Sequence, residues 1–393
     1  MLYSLGMKNS LLHFIPILFL ACLSCKQEKP ENMKEPVFYT PDQMVMGADL
    51  SYVNQILDHN GTYRDSGKIK DPYRIFREYG TNVARFRLFH TPVWTKEIYG
   101  EKGTQVYNDL NDVTLAIARA KEQGMQVCLD FHYSDTWADP SRQLPPAAWE
   151  GLSPDILHDS IYHYTLNVLQ HLEQQGMMPE YVQVGNEINP GFLLPAGNRW
   201  DGNEENFVYL LNAGIQAVRD AGSEASVSPK VIIHIAQPEN VVPWFQGLEE
   251  AGLNDFDVVG FSYYYIWSEV ELERVSNFTE HIRISLGRDV MITETAYPWT
   301  TGYADDYHNI IDTAKLDPDY PATAEGQYRY LVKLTQEIID GGGKGIFYWE
   351  PAWITSEMKT QWGQGSAWEC NTLFDFEGNV IQGMQYMTHP YTF

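Results

Sequence analysis

Two glutamates, far apart in the sequence, each follow an apolar segment. Glu187 ends the run VQVGNE, and Glu294 lies in MITET. Two carboxyl groups that face each other across a pocket are what glycoside hydrolysis requires. One, kept protonated by a raised pKa, donates a proton to the departing sugar oxygen, while the other attacks the anomeric carbon or activates a water. A single glutamate is more often a surface or salt-bridge residue, so the prediction depends on the fold bringing the pair together.

Eight short apolar segments alternate with segments of helical periodicity beyond residue 36. The predicted strands are 44–49, 82–89, 125–132, 181–187, 230–236, 257–264, 289–295 and 344–350. Several of the helical segments between them end in glycine, which commonly stops a helix. This order predicts the α/β class and a single (β/α)8 TIM barrel with long loops after strands seven and eight. The alternative, a doubly wound sheet, usually has fewer strands and a glycine-rich phosphate loop, which GADLSY after the first strand is not.

In such a barrel, chemistry collects at the C-terminal ends of the strands. Strands four and seven would carry Glu187 and Glu294 to that end, facing each other across the barrel mouth. We expect a carboxyl separation of roughly 5 Å, which goes with retention of configuration and a covalent glycosyl-enzyme. Other polar and aromatic side chains at strand ends are candidate functional residues: Arg85, Arg87, His132, Asp135, Asn186, Tyr263, Tyr264, Tyr265, Trp349 and Glu350.

The composition limits the partners of the protein. The chain has 52 acidic and 27 basic residues, and a net charge of -25 opposes binding of nucleic acid or an anionic membrane by the protein body. The sequence lacks a Walker loop, a His-Glu-x-x-His zinc pair and a CxxC motif. Neutral ligands remain, and the 25 Tyr and 11 Trp supply flat apolar faces that suit sugars as well as cores.

The N-terminal segment has the features of an export signal. Lys8 precedes an apolar stretch, 11–20, that is too short to span a bilayer, and ACLSCKQEKPEN follows it. Small residues before Cys25 resemble the lipobox of bacterial lipoproteins, in which the cysteine is acylated; Cys22 and ordinary signal-peptidase cleavage are the alternatives. The predicted segments are a lipoprotein signal peptide at 1–24, a tether at 25–40 and a catalytic domain at 41–393. We therefore expect an exported protein, anchored by lipid to the outer membrane or cell surface.

The motifs at the strand ends resemble one enzyme family. GADLSYV, LDFHYSDTWADP, VGNEINPG, GFSYYY, ITET and YWEPAW are similar to motifs of glycoside hydrolase family 53, the endo-β-1,4-galactanases. The resemblance runs from about Met46 to the C-terminus. It implies a monomeric enzyme that cleaves internal β-1,4-galactosidic linkages of galactan or type I arabinogalactan and needs no cofactor for its chemistry.

The resemblance also implies roles for individual residues. Glu187 corresponds to the general acid/base and Glu294 to the nucleophile, while Asn186 should bind the 2-hydroxyl of the sugar. Arg85 should hold the nucleophile ionised, since an adjacent cation lowers the pKa of a carboxyl group. Tyr264 should donate a hydrogen bond to it. Arg87 has the same parity as Arg85 along its strand, so periodicity alone does not separate the two.

The loop after strand three supplies candidates for substrate specificity. We expect His132 to hydrogen-bond the sugar or the catalytic carboxylates. Asp135 and Trp137 are expected to recognise the axial 4-hydroxyl of galactose and its apolar face. Asp139 is interpreted, together with Pro140, as part of a turn.

Two aromatic residues and two long loops complete the predicted cleft. Trp349, at the end of strand eight, is expected to stack on the sugar in the cleaved position, and Trp353 to extend that surface. The loops 296–322 and 351–377 are long enough to indicate function, and they would wall several sugar subsites.

The resemblance further implies a structural calcium ion between these two loops. Oxygen ligands are what calcium prefers, and the candidates are Asp305, Asn309, Ser366 and Glu369, with Asp306 and His308 as neighbours. The acidic spacing differs from the usual alternating pattern of the family. A solvated acidic loop is the equal alternative.

Two other functions remain open. One is the same barrel acting on another β-linked polysaccharide, mannan or glucan, because the catalytic pair is shared and only the subsites discriminate. The other is a non-catalytic surface lipoprotein that binds glycans. The presence of both Glu187 and Glu294 argues against a pure binder, which does not need two opposed carboxylates.

Overall fold

The computed structural model describes residues 35–200, 202–311 and 316–393. The predicted signal peptide, Cys25 and most of the tether lie outside the described residues, so export and lipid anchoring stay predictions. Within the described ranges, no helix combines the length and apolar character needed to cross a membrane.

Eight parallel strands close into a barrel. They are β1 (Val45–Asp49), β2 (Val83–Leu88), β3 (Gln126–Phe131), β4 (Tyr181–Val184), β5 (Lys230–Ala236), β6 (Val258–Ser262), β7 (Asp289–Thr295) and β8 (Gly345–Tyr348). Each strand pairs with its neighbours in chain order, and β8 pairs with β1. The predicted (β/α)8 fold is confirmed, and every strand lies within its predicted segment.

Helices cover the outside of the barrel. Those of the described residues are α1 (Val53–Asp58), α2 (Pro72–Glu78), α3 (Trp94–Glu97), α4 (Leu110–Glu122), α5 (Pro154–Gln174), α6 (Glu204–Ser223), α7 (Val241–Glu250), α8 (Val275–Leu286) and α9 (Ala324–Asp340). A 3-10 helix, Gln382–Thr388, follows β8 and packs on α9. Side chains cap the N-termini of some helices. Asp109 caps α4 and Thr323 caps α9, and each accepts a hydrogen bond from a backbone N–H of the first turn.

The inside of the barrel is built in layers. One apolar residue from each strand forms a separate buried cluster: Val45, Val83, Cys128, Tyr181, Ile232, Val258, Met291 and Phe347. Side chains two positions further along a strand point to the same side. On several strands a later inward position is polar and buried. Arg85, Asp130, Gln183 and His234 each follow a cluster residue by two positions, and Asp49 follows Val45 by four. An apolar plug therefore supports a polar layer beneath the C-terminal end.

A β-bulge in β7 breaks the register at the C-terminal end of the barrel. Phe261 pairs with Ile292, but Ser262 pairs with Glu294, so Thr293 is the extra residue. Gly260 on β6 leaves room for it, because a Cβ there would lie 2.7 Å from Thr293 Cγ2. A bulge re-aims the side chain that follows it, and here that side chain belongs to Glu294.

Candidate active site

A cavity of about 670 Å³ opens at the C-terminal end of the barrel. Its lining includes both Glu187 and Glu294, with aromatic side chains on several sides. The fold thus brings together the two glutamates that the sequence had paired. Their carboxyl separation of roughly 5 Å stays a prediction.

Glu294 is held by two donors. Its Oε1 accepts a hydrogen bond from Arg85 Nη2 at 3.0 Å, and its Oε2 accepts one from the Tyr264 hydroxyl at 3.2 Å. Both partners are buried. These are the contacts expected of Arg85 and Tyr264. Each carboxylate oxygen of Glu294 thus accepts a hydrogen bond from one of the two residues.

Arg85 lies beneath the cavity rather than in its wall. Its guanidinium contacts Asp49 Oδ2 at 3.0 Å and Asp130 Oδ2 at 2.8 Å in addition to Glu294. One cation therefore serves three buried carboxylates, so its effect on any one of them is shared. The structure also separates Arg85 from Arg87, whose guanidinium pairs with a different glutamate.

Glu187 has an uncommon backbone conformation. Its φ of 47° lies in the left-handed region, a conformation that costs free energy for a residue with a side chain. β4 ends at Val184, so Glu187 is presented on the turn that follows the strand. Its Oε1 lies 2.6 Å from Ser262 Oγ, the last residue of β6.

The two carboxyl groups differ in how well their environment stabilises a negative charge. Burial raises the pKa of both, to about 7 for Glu187 and about 8 for Glu294, and the charge of Glu187 adds to the rise at Glu294. Glu294 receives two hydrogen bonds, one from the cationic Arg85, whereas Glu187 has the neutral Ser262 alone among the described residues. The hydrogen bonds therefore favour an ionised Glu294 and a protonated Glu187, whereas burial and the neighbouring carboxylates of Glu187, Asp130 and Asp49 act against the ionised form of Glu294.

Asn186 is fixed by hydrogen bonds in one orientation. Its Oδ1 accepts from Arg85 Nη2, Gln183 Nε2 and His234 Nδ1, each at 2.9 Å. Its Nδ2 donates to the Ala138 carbonyl oxygen at 2.8 Å. Because an amide nitrogen carries two hydrogens, the second N–H of Asn186 remains for a substrate hydroxyl in the cavity.

His132 lines the cavity but both of its ring nitrogens bind the protein. Nδ1 accepts from the Ala138 backbone N–H at 2.9 Å, so the proton is on Nε2, which donates to Asp130 Oδ2 at 3.0 Å. The expectation that His132 hydrogen-bonds the sugar or the catalytic carboxylates is not matched. Its ring instead positions the loop after β3 over the polar layer.

Asp135 and Asp139, the two aspartates of this loop, do not lie where the sequence suggested. Asp135 is not in the cavity wall, and its two carboxylate oxygens accept the backbone N–H groups of Thr91 and Ala147 at 2.8 and 2.9 Å. Asp139 does form a turn, but it also lines the cavity, where its charge raises the pKa of Glu187. The recognition role predicted for Asp135 is therefore wrong in position.

Tryptophans form much of the cavity wall. Trp137, Trp349 and Trp353 line it as expected, and so does Trp362, which sequence reasoning missed. The Trp362 ring lies 4.8 Å from that of Trp137 and is 54% exposed, with the Arg142 guanidinium 5.3 Å from its centroid. Trp353 is instead buried, with its indole N–H bound to a carbonyl oxygen of its own loop.

Protein donors contact the carboxylates of two of the four candidate calcium ligands, Asp305 and Glu369. Thr355 places its hydroxyl between Asp305 and Glu369, and Asp305 also accepts the backbone N–H of Ser366 at 2.9 Å. The carboxylates of Asp305 and Glu369 thus accept protein donors, whereas both polar atoms of the Asn309 amide are buried without a hydrogen-bond partner in the described structure. Within the described ranges, no group of three His, Cys, Asp or Glu side chains could hold a metal ion. Calcium stays a prediction, and no step of the chemistry depends on it.

The functional candidates missed from the sequence include His234, Ser262 and Trp362. His234 is a polar residue within the apolar run KVIIHIA, and it faces the barrel interior, so a search for polar residues at inward positions would have found it. Ser262 precedes the tyrosines that drew attention to strand six. Trp362 lies in a loop, where no periodicity marks its direction.

Comparison with known proteins gives consistent matches over most of the chain. Residues 45–387 match the model of Glycosyl hydrolase family 53. An arabinogalactan endo-β-1,4-galactanase of Cellvibrio japonicus is 42% identical over 84% of this chain and 86% of its own length. An endo-β-1,4-galactanase of Bacillus subtilis is 31% identical over 87% and 84% of the two chains. The GH53 catalytic domain of Ignisphaera aggregans superposes with a TM-score of 0.81 at 32% identity, covering 91% of this chain and 99% of that one.

Proposed function

The chain belongs to glycosyl hydrolase family 53 and is a glycoside hydrolase. We propose that it cleaves internal β-1,4-galactosidic linkages of galactan and of type I arabinogalactan. The names of the relatives from Cellvibrio japonicus and Bacillus subtilis support this substrate. The cavity lining supports a neutral polysaccharide, because its aromatic faces suit the apolar side of a sugar ring.

We propose a retaining double displacement. In the first step Glu294 attacks the anomeric carbon, the glycosidic C–O bond breaks, and Glu187 gives its proton to the departing oxygen. In the second step the ionised Glu187 takes a proton from a water, whose oxygen displaces Glu294 from the anomeric carbon. Glu187 is then protonated and Glu294 ionised again, as at the start.

The observation that carries this assignment is the unequal support of two carboxyl groups in one cavity. Glu294 has a cationic and a neutral donor, which favours the ionised form that a nucleophile needs. Glu187 has a single neutral partner among the described residues, which favours the protonated form that an acid needs.

An endo-acting enzyme must bind several sugar units around the cleaved bond. Trp137 and Trp362 form one aromatic wall of the cavity, and Trp349 lies elsewhere in the lining. We propose that Trp349 stacks on the sugar whose bond is cleaved, and that Trp137 with Trp362 holds a neighbouring unit. The second N–H of Asn186 is assigned to the 2-hydroxyl.

The test is hydrolysis of a panel of polysaccharides by the mature protein. Reducing ends released from β-1,4-galactan, arabinogalactan, mannan and cellulose should appear with the first two substrates, and the galactan products should shorten gradually, as internal cleavage requires. Proton NMR of a short galactan digest should show the β-anomer first, because retention preserves configuration. Release from mannan without release from galactan would replace the substrate, and α-anomer first would replace the mechanism.

The matched control is Glu294→Ala. It should leave only trace activity while still binding galactan, because the aromatic walls remain intact. More than trace activity would remove Glu294 from its role as nucleophile. Galactan binding with no hydrolysis by the unaltered protein would favour the non-catalytic glycan binder.

A further inference from the structure

Behind Glu187 lies a continuous line of hydrogen bonds that reaches the other side of Asn186. Ser262 Oγ is 2.6 Å from Glu187 Oε1, and His234 Nε2 is 2.9 Å from Ser262 Oγ. His234 Nδ1 is in turn 2.9 Å from Asn186 Oδ1. His234 is fully buried and does not line the cavity, so it has no direct access to substrate.

The position of the proton on His234 follows from its neighbours. Asn186 Oδ1 can only accept, so Nδ1 should carry a hydrogen. The other atom near Nδ1 is Gln183 Nε2 at 3.1 Å, and its two hydrogens have acceptors at Asn186 Oδ1, 2.9 Å away, and the Gly185 carbonyl oxygen, 3.1 Å away. Burial lowers the pKa of His234 well below its ordinary value, so the ring is neutral and Nε2 has no hydrogen.

Ser262 has one proton and two acceptors that compete for it. If Glu187 is protonated, its O–H donates to Ser262 Oγ and the Ser262 O–H donates to His234 Nε2, which satisfies all three groups. If Glu187 is ionised, the Ser262 O–H turns to the carboxylate, and His234 Nε2 then has no donor among the described residues. A buried acceptor without a partner is unfavourable, so ionisation of Glu187 is penalised.

We infer that His234 and Ser262 are positioning residues that stabilise the protonated form of Glu187 before the first half-reaction and favour its reprotonation in the second. The relay rests on the proposed function, because it matters for turnover only if Glu187 is the acid and base of the two-step mechanism. Before cleavage it keeps the acid loaded. After the proton has moved to the departing oxygen, His234 Nε2 has no donor among the described residues. This unpaired acceptor increases the tendency of Glu187 to take a proton from the incoming water.

Other charged or titratable groups also act on Glu187 and His234, and they come from several elements. They are Arg85 on β2, Asp130 and His132 at β3, Asp139 in the following loop and Glu294 on β7. All of them are retained when His234 or Ser262 is replaced. A difference between such variants therefore reports the relay rather than the general field of the cavity.

The test is a cycle of His234→Leu, Ser262→Ala and the double variant, read as the pH dependence of kcat/KM on galactan. The basic limb reports loss of the proton of the free acid. His234→Leu should lower the pKa of that limb by about one unit, because Ser262 can then donate to the ionised Glu187 without competition. In the Ser262→Ala background the same replacement should leave the limb in place. No shift, or an equal shift in both backgrounds, would overturn the relay.

Two measurements without substrate keep the test independent of activity and of variants that fold poorly. Carbon NMR of protein labelled at glutamate carboxyls should show the same lowering for Glu187, whose signal is assigned by its absence in Glu187→Gln. Nitrogen NMR of labelled histidines in the unaltered protein should find the His234 hydrogen on Nδ1. A hydrogen on Nε2 would overturn the relay. Failure to hydrolyse galactan would overturn the proposed function, and the two spectra would still test the hydrogen-bond arrangement around Glu187.

Discussion

Two arginines on one strand each pair with a glutamate at the end of another strand, yet only one pair belongs to the active site. Arg85 Nη2 contacts Glu294 Oε1 at 3.0 Å, and Arg87 Nη1 contacts Glu350 Oε1 at 2.5 Å. Both arginines are 1% exposed. By residue type and burial the pairs are alike, so these properties do not explain their different roles.

The pairs differ in what lies around them. Glu294 lines the cavity and has a second donor in Tyr264. Glu350 is outside the cavity wall, and the Arg87 guanidinium lies 4.1 Å from the ring centre of Tyr52 and 5.6 Å from that of Trp137. Trp137 itself lines the cavity, so Arg87 is on the far side of that wall.

This difference separates two uses of a buried ion pair. Arg85 holds a carboxylate that substrate can reach, whereas Arg87 is enclosed by aromatic rings and has two nitrogens without a hydrogen-bond partner among the described residues. Breaking a buried pair by removing one partner leaves an uncompensated charge and is strongly destabilising. The Arg87 pair should therefore contribute to stability and the Arg85 pair to chemistry.

The largest expected effect is that of Glu294→Gln, an isosteric change in the accessible pair. Turnover of galactan should fall about a thousandfold or more, because an amide is not a nucleophile for the anomeric carbon. Stability should not fall as much, since Arg85 keeps Asp49 and Asp130 as partners. Initial rates and urea unfolding of the same preparation measure both quantities.

The same substitution in the enclosed pair should have the opposite profile. Glu350→Gln should lower the free energy of unfolding by about 3–5 kcal/mol, because Arg87 loses the only carboxylate that pairs with it in the described structure. The protein that remains folded should keep most of its turnover. If Glu350→Gln abolished turnover without loss of stability, the two pairs would not differ in the way proposed.

The sequence predicted the common features of the two pairs but not their difference. Period-two alternation placed Arg85 and Arg87 on the same face of their strand, and the apolar runs placed their partners at strand ends. The choice between them depends on the path of the loop after β3, which carries Trp137 in front of Arg87. That path depends on contacts between distant segments, as does the location of Asp135, and the alternation of residue types along one strand does not encode it.

The smallest expected effects come from two tyrosines that accompany the pairs. Tyr264→Phe removes the hydroxyl that donates to Glu294 Oε2, and turnover should fall about tenfold to a hundredfold, because a hydrogen bond to a charged group is lost.

The Tyr52 hydroxyl is buried without a hydrogen-bond partner in the described structure. Tyr52→Phe should therefore keep turnover and leave the free energy of unfolding within about 0.5 kcal/mol of its original value, or increase it. Because the two changes delete the same atom, steady-state kinetics and urea unfolding of both variants compare the surroundings of the pairs directly. Equal losses of turnover would mean that the aromatic wall does not isolate Arg87 and Glu350 from the reaction.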